Sequence, residues 1–124
     1  MTDPRMQRGL DCETLAARHL QESGVEVLAR NLRCKSGELD IVAREGNTLL
    51  IVEVRQRVRK DFGGALQSVT WRKRRKIISA TRYFMQANRE WRRHSLRFDV
   101  IAVEGTPDGT HHINWVRDAF RAAR

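Results

Sequence analysis

At 124 residues, with 40% apolar and 31% charged side chains, the chain is long enough for one hydrophobic core and too short for two. That composition excludes a disordered chain, and apolar runs no longer than residues 49–52 exclude a membrane-spanning helix, which needs about 20 apolar residues. Lys and Arg number 24 against 15 Asp and Glu, a net charge of +9 that favours polyanionic partners, because each neutralised phosphate releases condensed counterions.

Acidic lipid or an acidic protein surface would also attract such a chain, but nucleic acid ranks ahead of both. The first eight residues hold no apolar segment of the kind that directs secretion, so a cytoplasmic location is expected. Cys12 and Cys34 are too few for a disulfide framework or a zinc site and read as reduced thiols.

Residues 1–7 are expected to form a flexible tail and residues 8–124 a single domain. A first helix is predicted over residues 9–23, stopped at Gly24, with Leu10, Ala17 and Leu20 as its apolar stripe and Ala16 beside it. A short strand follows at 25–29. Two clear strands, 38–44 and 49–55, flank Glu45-Gly-Asn-Thr48, whose Gly and Asn suit a tight hairpin turn. Leu66, Val69, Ile77, Ala80 and Phe84 recur at helical spacing and predict a long helix over 65–88. Strands at 96–103 and 111–116, with a Gly/Pro loop between them and a helical end at 117–124, complete the order α-β-β-β-α-β-β. The fold class is therefore α/β, a mixed central sheet flanked by helices.

The hairpin concentrates chemistry. With Gly46 and Asn47 at the turn's centre, Asp40 faces Glu53 and Glu38 faces Arg55, and all four side chains share one face. The other face holds Leu39, Ile41, Ala43, Leu50, Val52 and Val54, an apolar set that belongs in the core. Opposed carboxylates about 5 Å apart repel each other. A cation, a shared proton or ample water must compensate, and a hard divalent ion such as Mg²⁺ or Mn²⁺ suits oxygen donors. Such an ion serves phosphodiester hydrolysis. The plainer alternative is a solvated sheet face with an ordinary Glu38–Arg55 ion pair. Val42, Leu49 and Ile51 around the acids favour a partly covered face instead.

Two helix positions break the apolar pattern. Glu13 falls within the stripe of the first helix, and Val69, Lys73 and Ile77 run at i, i+4, i+8, which turns Lys73 inward. Glu13 could add a third carboxylate to the site or serve the helix dipole in a first turn. Lys73 could reach a phosphate or snorkel to water. The run Trp71-Arg-Lys-Arg-Arg-Lys76 has no acids interleaved, so Arg72, Arg74, Arg75 and Lys76 are expected to meet phosphates, with Arg57, Arg59 and Lys60 extending that surface. The four histidines show no ligand spacing, and no Ser–His–Asp arrangement or phosphate-binding Gly loop is present.

The ordered set Gly9, Glu13, Ala16-Ala17, Asn31-Leu-Arg33, Gly37-Glu-Leu-Asp40-Ile, Leu50-Ile-Val-Glu53-Val-Arg55, Phe62-Gly63, Lys73 and Arg97-Phe-Asp99-Val-Ile resembles the YraN-like family of small bacterial proteins, over nearly the whole chain. The resemblance implies a fold similar to restriction-endonuclease-like PD-(D/E)xK nucleases, including archaeal Holliday-junction resolvases. It casts Asp40 as the central metal-binding acid, Glu53 as the acid of the E-x-K element and Glu13 as the helix-borne acid. Arg55 stands where the family usually has Lys; an Arg binds phosphate but stays protonated and cannot serve as a base.

The expected function is binding of structured or branched DNA, ahead of RNA, with Mg²⁺- or Mn²⁺-dependent endonuclease cleavage. Asp40, Glu53 and Glu13 would hold metal, Arg55 would stabilise charge and Lys73 would bind phosphate. The rivals are a nucleic-acid-binding module with a vestigial nuclease site and a protein–protein adaptor. Resolvases act as dimers, so a homodimer is implied, with no membrane partner.

Overall fold

The structure, a computed structural model, describes residues 4–58, 69–105 and 110–122. Its elements are α1 (Pro4–Glu22), β1 (Glu26–Cys34), β2 (Gly37–Glu45), β3 (Thr48–Val58), α2 (Trp71–Ala87), a 3₁₀ turn (Arg89–Arg93), β4 (Ser95–Gly105) and β5 (His111–Phe120). The five strands form one sheet in the order β1-β2-β3-β4-β5. All neighbours are antiparallel except β3 and β4, which run parallel because α2 carries the chain back between them. The α/β class and the element order match expectation. No helix among the described residues is long and apolar enough to cross a membrane.

Both faces of the sheet are apolar, and each is covered by one helix. Cys12, Ala16, Ala17 and Leu20 of α1 pack on Ile41, Ala43, Leu50, Val52, Ile101 and Val103. On the opposite face, Ile77 and Ala80 of α2 pack with Val42, Leu49, Ile51, Phe98, Val100 and Ala102. Strand side chains alternate between faces. That is why β2, β3 and β4, buried on both sides, read as nearly continuous apolar runs.

Helix α1 ends as Gly24 predicts. Gly24 takes φ 85°, its N–H bonds to the Gln21 carbonyl, and the Val25 N–H bonds to Leu20 (3.1 and 3.0 Å), a Schellman stop. The helix begins at Pro4, inside the segment expected to be a tail. In the β2–β3 turn only Gly46 has a positive φ (59°), the pattern of a turn whose first central residue alone is left-handed.

Three expectations need correction. Helix α2 begins at Trp71, because the Thr70 side chain accepts from the Lys73 N–H (3.2 Å) and caps the helix there; residues 65–68, with Leu66, lie outside the described residues. Leu10's side chain, Arg59, Lys60 and Phe62-Gly63 also lie outside them. Residues 117–120, expected to be helical, continue β5. Leu39, expected on the same face as Ile41, joins the α2-side cluster instead, so alternation breaks at the residue between them, Asp40.

Candidate functional site

The break at Asp40 coincides with a defect in the neighbouring strand. The β1–β2 register is unchanged from Arg30–Ile41 to Leu32–Leu39, which sets Asn31 opposite Asp40; the two form no ladder pair, and Asn31 sits in the left-handed region at φ 55°. Asn tolerates that conformation better than most residues. The β2–β3 ladder follows the expected register from Glu45–Thr48 up to Ile41–Val52 and ends there, so the strands fork. Asp40 and Glu53 flank that fork. Asp40 bridges it with a side chain: its Oδ2 accepts from the Val54 N–H at 2.9 Å.

Asp40 and Glu53 therefore come together as expected, through a shared side-chain hydrogen bond rather than as a ladder pair. Glu53 is only 4% exposed. Burial first, then the Asp40 charge, pushes its carboxyl up to about 8, against the pull of Lys73 and Arg55. Burial also raises Asp40, while the Val54 N–H and the hydrogen bond from Glu53 oppose the shift. Burial thus pushes both acids toward their protonated forms, and the Asp40 charge adds to the push on Glu53.

Two cations meet Glu53 at one oxygen. Lys73 Nζ, from the first turn of α2, and Arg55 Nη1, two residues along β3, each lie 3.7 Å from Oε1. The inward turn of Lys73 predicted from its spacing is correct. The expected facing of Glu38 and Arg55 across the hairpin does not give an ion pair, because the strands have already parted. Glu38 instead lies 3.6 Å from Arg33 on β1.

Glu13 approaches from the α1 side and is buried. Because α1 starts at Pro4, Glu13 sits in mid-helix, which removes the helix-dipole explanation. Arg30 Nε donates to its Oε1 at 3.0 Å, while Arg30 Nη2 donates to Thr14 Oγ1 at 3.2 Å. Burial raises the Glu13 carboxyl; Arg30 lowers it, and Asp40 and Glu38 push it up again. Glu13 thus feels the acidic fork electrostatically while Arg30 holds it. Among the described residues no group of three or more His, Cys, Asp or Glu is close enough to hold an ion together. Nothing in the sequence singles out Arg30, since its partner lies 17 positions away on another element.

The basic run divides by role. Arg72, Arg75 and Lys76 are exposed on α2. Arg74 turns back: its Nε donates to the Val69 carbonyl at 3.0 Å, and its guanidinium lies 5.0 Å from the Trp71 ring centre and 5.4 Å from that of Phe120. Arg57, expected on the phosphate-binding surface, is buried. No acidic residue occupies the first turn of α2, so its cations sit at the positive end of the helix dipole, an arrangement that an anion would relieve.

A further buried acid serves structure. Asp99 is completely buried and accepts from Arg97 Nε and Nη2 (2.9 Å each), Trp115 Nε1 (2.9 Å) and the Asp118 N–H (3.0 Å). The β4–β5 register slips opposite it, between Phe98–Phe120 and Val100–Val116, and its carboxylate fills the resulting bulge.

A five-stranded mixed sheet with one helix on each face, carrying a buried Glu53 beside a half-buried Asp40 at a strand fork with cations at one oxygen, defines a small α/β protein with a carboxylate-centred site. The chain belongs to the uncharacterised protein family UPF0102, whose pattern matches residues 12–103, a span that includes Glu13, Asp40, Glu53, Arg55, Lys73 and Asp99. The YraN-like resemblance carried by the residues leads to the same family. A UPF0102 protein of Pseudomonas fluorescens Pf-5 is 46% identical over 112 residues, covering 90% of this chain and 91% of its own length. One from Stutzerimonas stutzeri is 46% identical over 114 residues (92% and 94%), and one from Pseudomonas syringae pv. syringae is 42% identical over 116 residues (94% of each).

Proposed function

We propose that this protein binds nucleic acid along the basic side of α2 and hydrolyses a phosphodiester at the Asp40–Glu53 fork, in a restriction-endonuclease-like arrangement that uses Mg²⁺ or Mn²⁺. The observation that carries the reading is the meeting of the buried Glu53 and the half-buried Asp40 with Lys73 and Arg55, the two cations converging on a single Glu53 oxygen. An adaptor surface has no use for such an arrangement, because burying an acid pair costs stability and brings no contact area.

The donor set fits a hard divalent ion. Mg²⁺ is commonly held by one or two carboxylates, with substrate phosphate and water completing the shell. Asp40 and Glu53 would supply those two, and Glu13, tied to Arg30, would tune their charge rather than add a third. The ion's contribution would be Lewis acidity toward a phosphoryl oxygen.

The chain's own residues account for the rest. Lys73 and Arg55, on separate elements, can grip non-bridging oxygens of the scissile phosphate and offset the charge that develops on them. Arg55 stays protonated, so it binds but does not take protons. Because burial raises both carboxyls, binding a divalent ion at Asp40 and Glu53 would release the proton that Glu53 otherwise keeps near neutral pH. Lys73, with its Nζ 3.7 Å from Glu53 Oε1, would take over part of the role that the resemblance gives to a lysine at position 55. DNA, and branched or structured DNA in particular, is the substrate that the resemblance to resolvases favours.

The second reading, a binding module whose nuclease site has lapsed, is favoured by Arg55 itself. Incubating branched, single-stranded and duplex DNA with Mn²⁺ decides between them. The wild type is expected to cleave at least one form, with a loss of about 100-fold or more in Glu53→Ala and Lys73→Met. Cleavage gained only in Arg55→Lys would establish the lapsed site, and cleavage that survives Glu53→Ala would end the assignment to this fork.

A further inference from the structure

We infer that Ser36, Arg72, Arg75, Lys76 and Ser79 form a second anion subsite, which holds a phosphate of the bound strand next to the one at the fork. These five residues, all exposed, line an open depression of about 390 Å³ between the β1–β2 turn and α2. Its donors are three cations and two hydroxyls, and no acid lines it. Among the described residues no carboxylate pairs with Arg72, Arg75 or Lys76.

The depression is built by the fold. Gly37 takes φ 154°, and a Cβ placed on it would lie 3.3 Å from the Lys76 carbonyl oxygen and 3.4 Å from Lys76 Cβ. Glycine thus lets the turn sit against the helix and sets Ser36 beside the cations. At about 100° per residue, Arg72, Arg75, Lys76 and Ser79 fall on one flank of α2, whereas Lys73, Ile77 and Ala80 point at the sheet. Like charges at i+3 and i+4 repel, and nothing on the helix offsets them. An oxyanion seated there would offset these charges and could accept from the neighbouring hydroxyls. Lys76 is the i+3 neighbour of Lys73, so an anion held here lies about one helical turn from the fork. Arg74, held by Val69 and the two rings, takes no part.

The identity of the ligand rests on the nucleic-acid reading, and the test separates the two. The full chain is titrated in EDTA with labelled single-stranded and duplex oligonucleotides by fluorescence anisotropy, and with inorganic phosphate by amide NMR. Ser36→Ala/Ser79→Ala, which leaves the net charge unchanged, is expected to weaken oligonucleotide binding about tenfold, as loss of hydrogen bonds to a charged group does. Arg75→Gln/Lys76→Gln is expected to weaken it further and to lower the salt slope by about one, because one phosphate is no longer neutralised. Arg18→Gln, exposed on α1 across the sheet, should bind like the wild type. Equal losses in Arg18→Gln and Arg75→Gln/Lys76→Gln, or no loss in the serine pair, would reduce the depression to undirected charge and overturn the subsite, whatever the fork cleaves. Phosphate-induced shifts at Ser36 and Ser79 without oligonucleotide affinity would keep the anion subsite and overturn its nucleic-acid ligand.

Discussion

Replacing Glu53 by Gln should make the protein more stable, and by an amount that depends on pH. In the folded chain the Glu53 carboxyl is raised to about 8 from an ordinary 4.5. A carboxyl raised on folding contributes most below pH 4.5, where it is protonated in both states, and that contribution is lost as pH climbs through the folded value. One pKa unit corresponds to about 1.4 kcal/mol, so at pH 7 the wild type forgoes up to about 3 kcal/mol, with a ceiling near 5 above pH 8. Water entry and relaxation at the fork make both figures upper bounds. The Gln amide keeps the shape and still donates to Asp40, but it has no charge to bury. Urea unfolding followed by tryptophan fluorescence at pH 5, 7 and 8.5 should therefore show the two proteins nearly equal at pH 5 and diverging as pH rises. At pH 7 the variant should melt on the order of 10 °C higher. Mn²⁺ should close the gap by stabilising the wild type alone. A difference that is flat across pH, or that has the opposite sign, would refute the burial of the Glu53 carboxyl beside Asp40.

Two further outcomes follow from the same reasoning. Asp99→Ala strands the Arg97 guanidinium and the Trp115 and Asp118 N–H groups, and should cost about 3–5 kcal/mol in urea unfolding; a loss under about 1 kcal/mol would show that the bulge does not depend on this carboxylate. Thr70→Ala removes the α2 cap and should cost about 1 kcal/mol, measured the same way.

The parts of the site legible in the sequence are those governed by local periodicity. The turn at Gly46-Asn47 sets the hairpin register, so the approach of Asp40 to Glu53 can be counted along the strands. The i, i+4, i+8 spacing of Val69, Lys73 and Ile77 is enough to turn Lys73 inward. What stays hidden depends on where strands depart from regularity. Counting assumes a ladder that continues past Ile41–Val52, so it puts Leu39 on the wrong face and gives Arg55 to Glu38. The Arg30 bond to Glu13 and the Asp99 hub join residues 17 and 16–19 positions apart on different elements, beyond the reach of periodicity. The left-handed Asp118 (φ 51°) interrupts the alternation of β5, which is why its second half reads as helix.

The irregular outer strands also bear on how copies of this chain can assemble. β1 and β5 are the two edges of the sheet, and each is interrupted, β1 by a register shift between Val27 and Ala29 and by the left-handed Asn31, β5 by the slip opposite Asp99. Strand-to-strand addition requires a flat, uninterrupted row of backbone donors and acceptors, and such kinks are a common guard against it. Each rim is broken within its length, so self-association through a sheet that runs the full length of both strands is disfavoured.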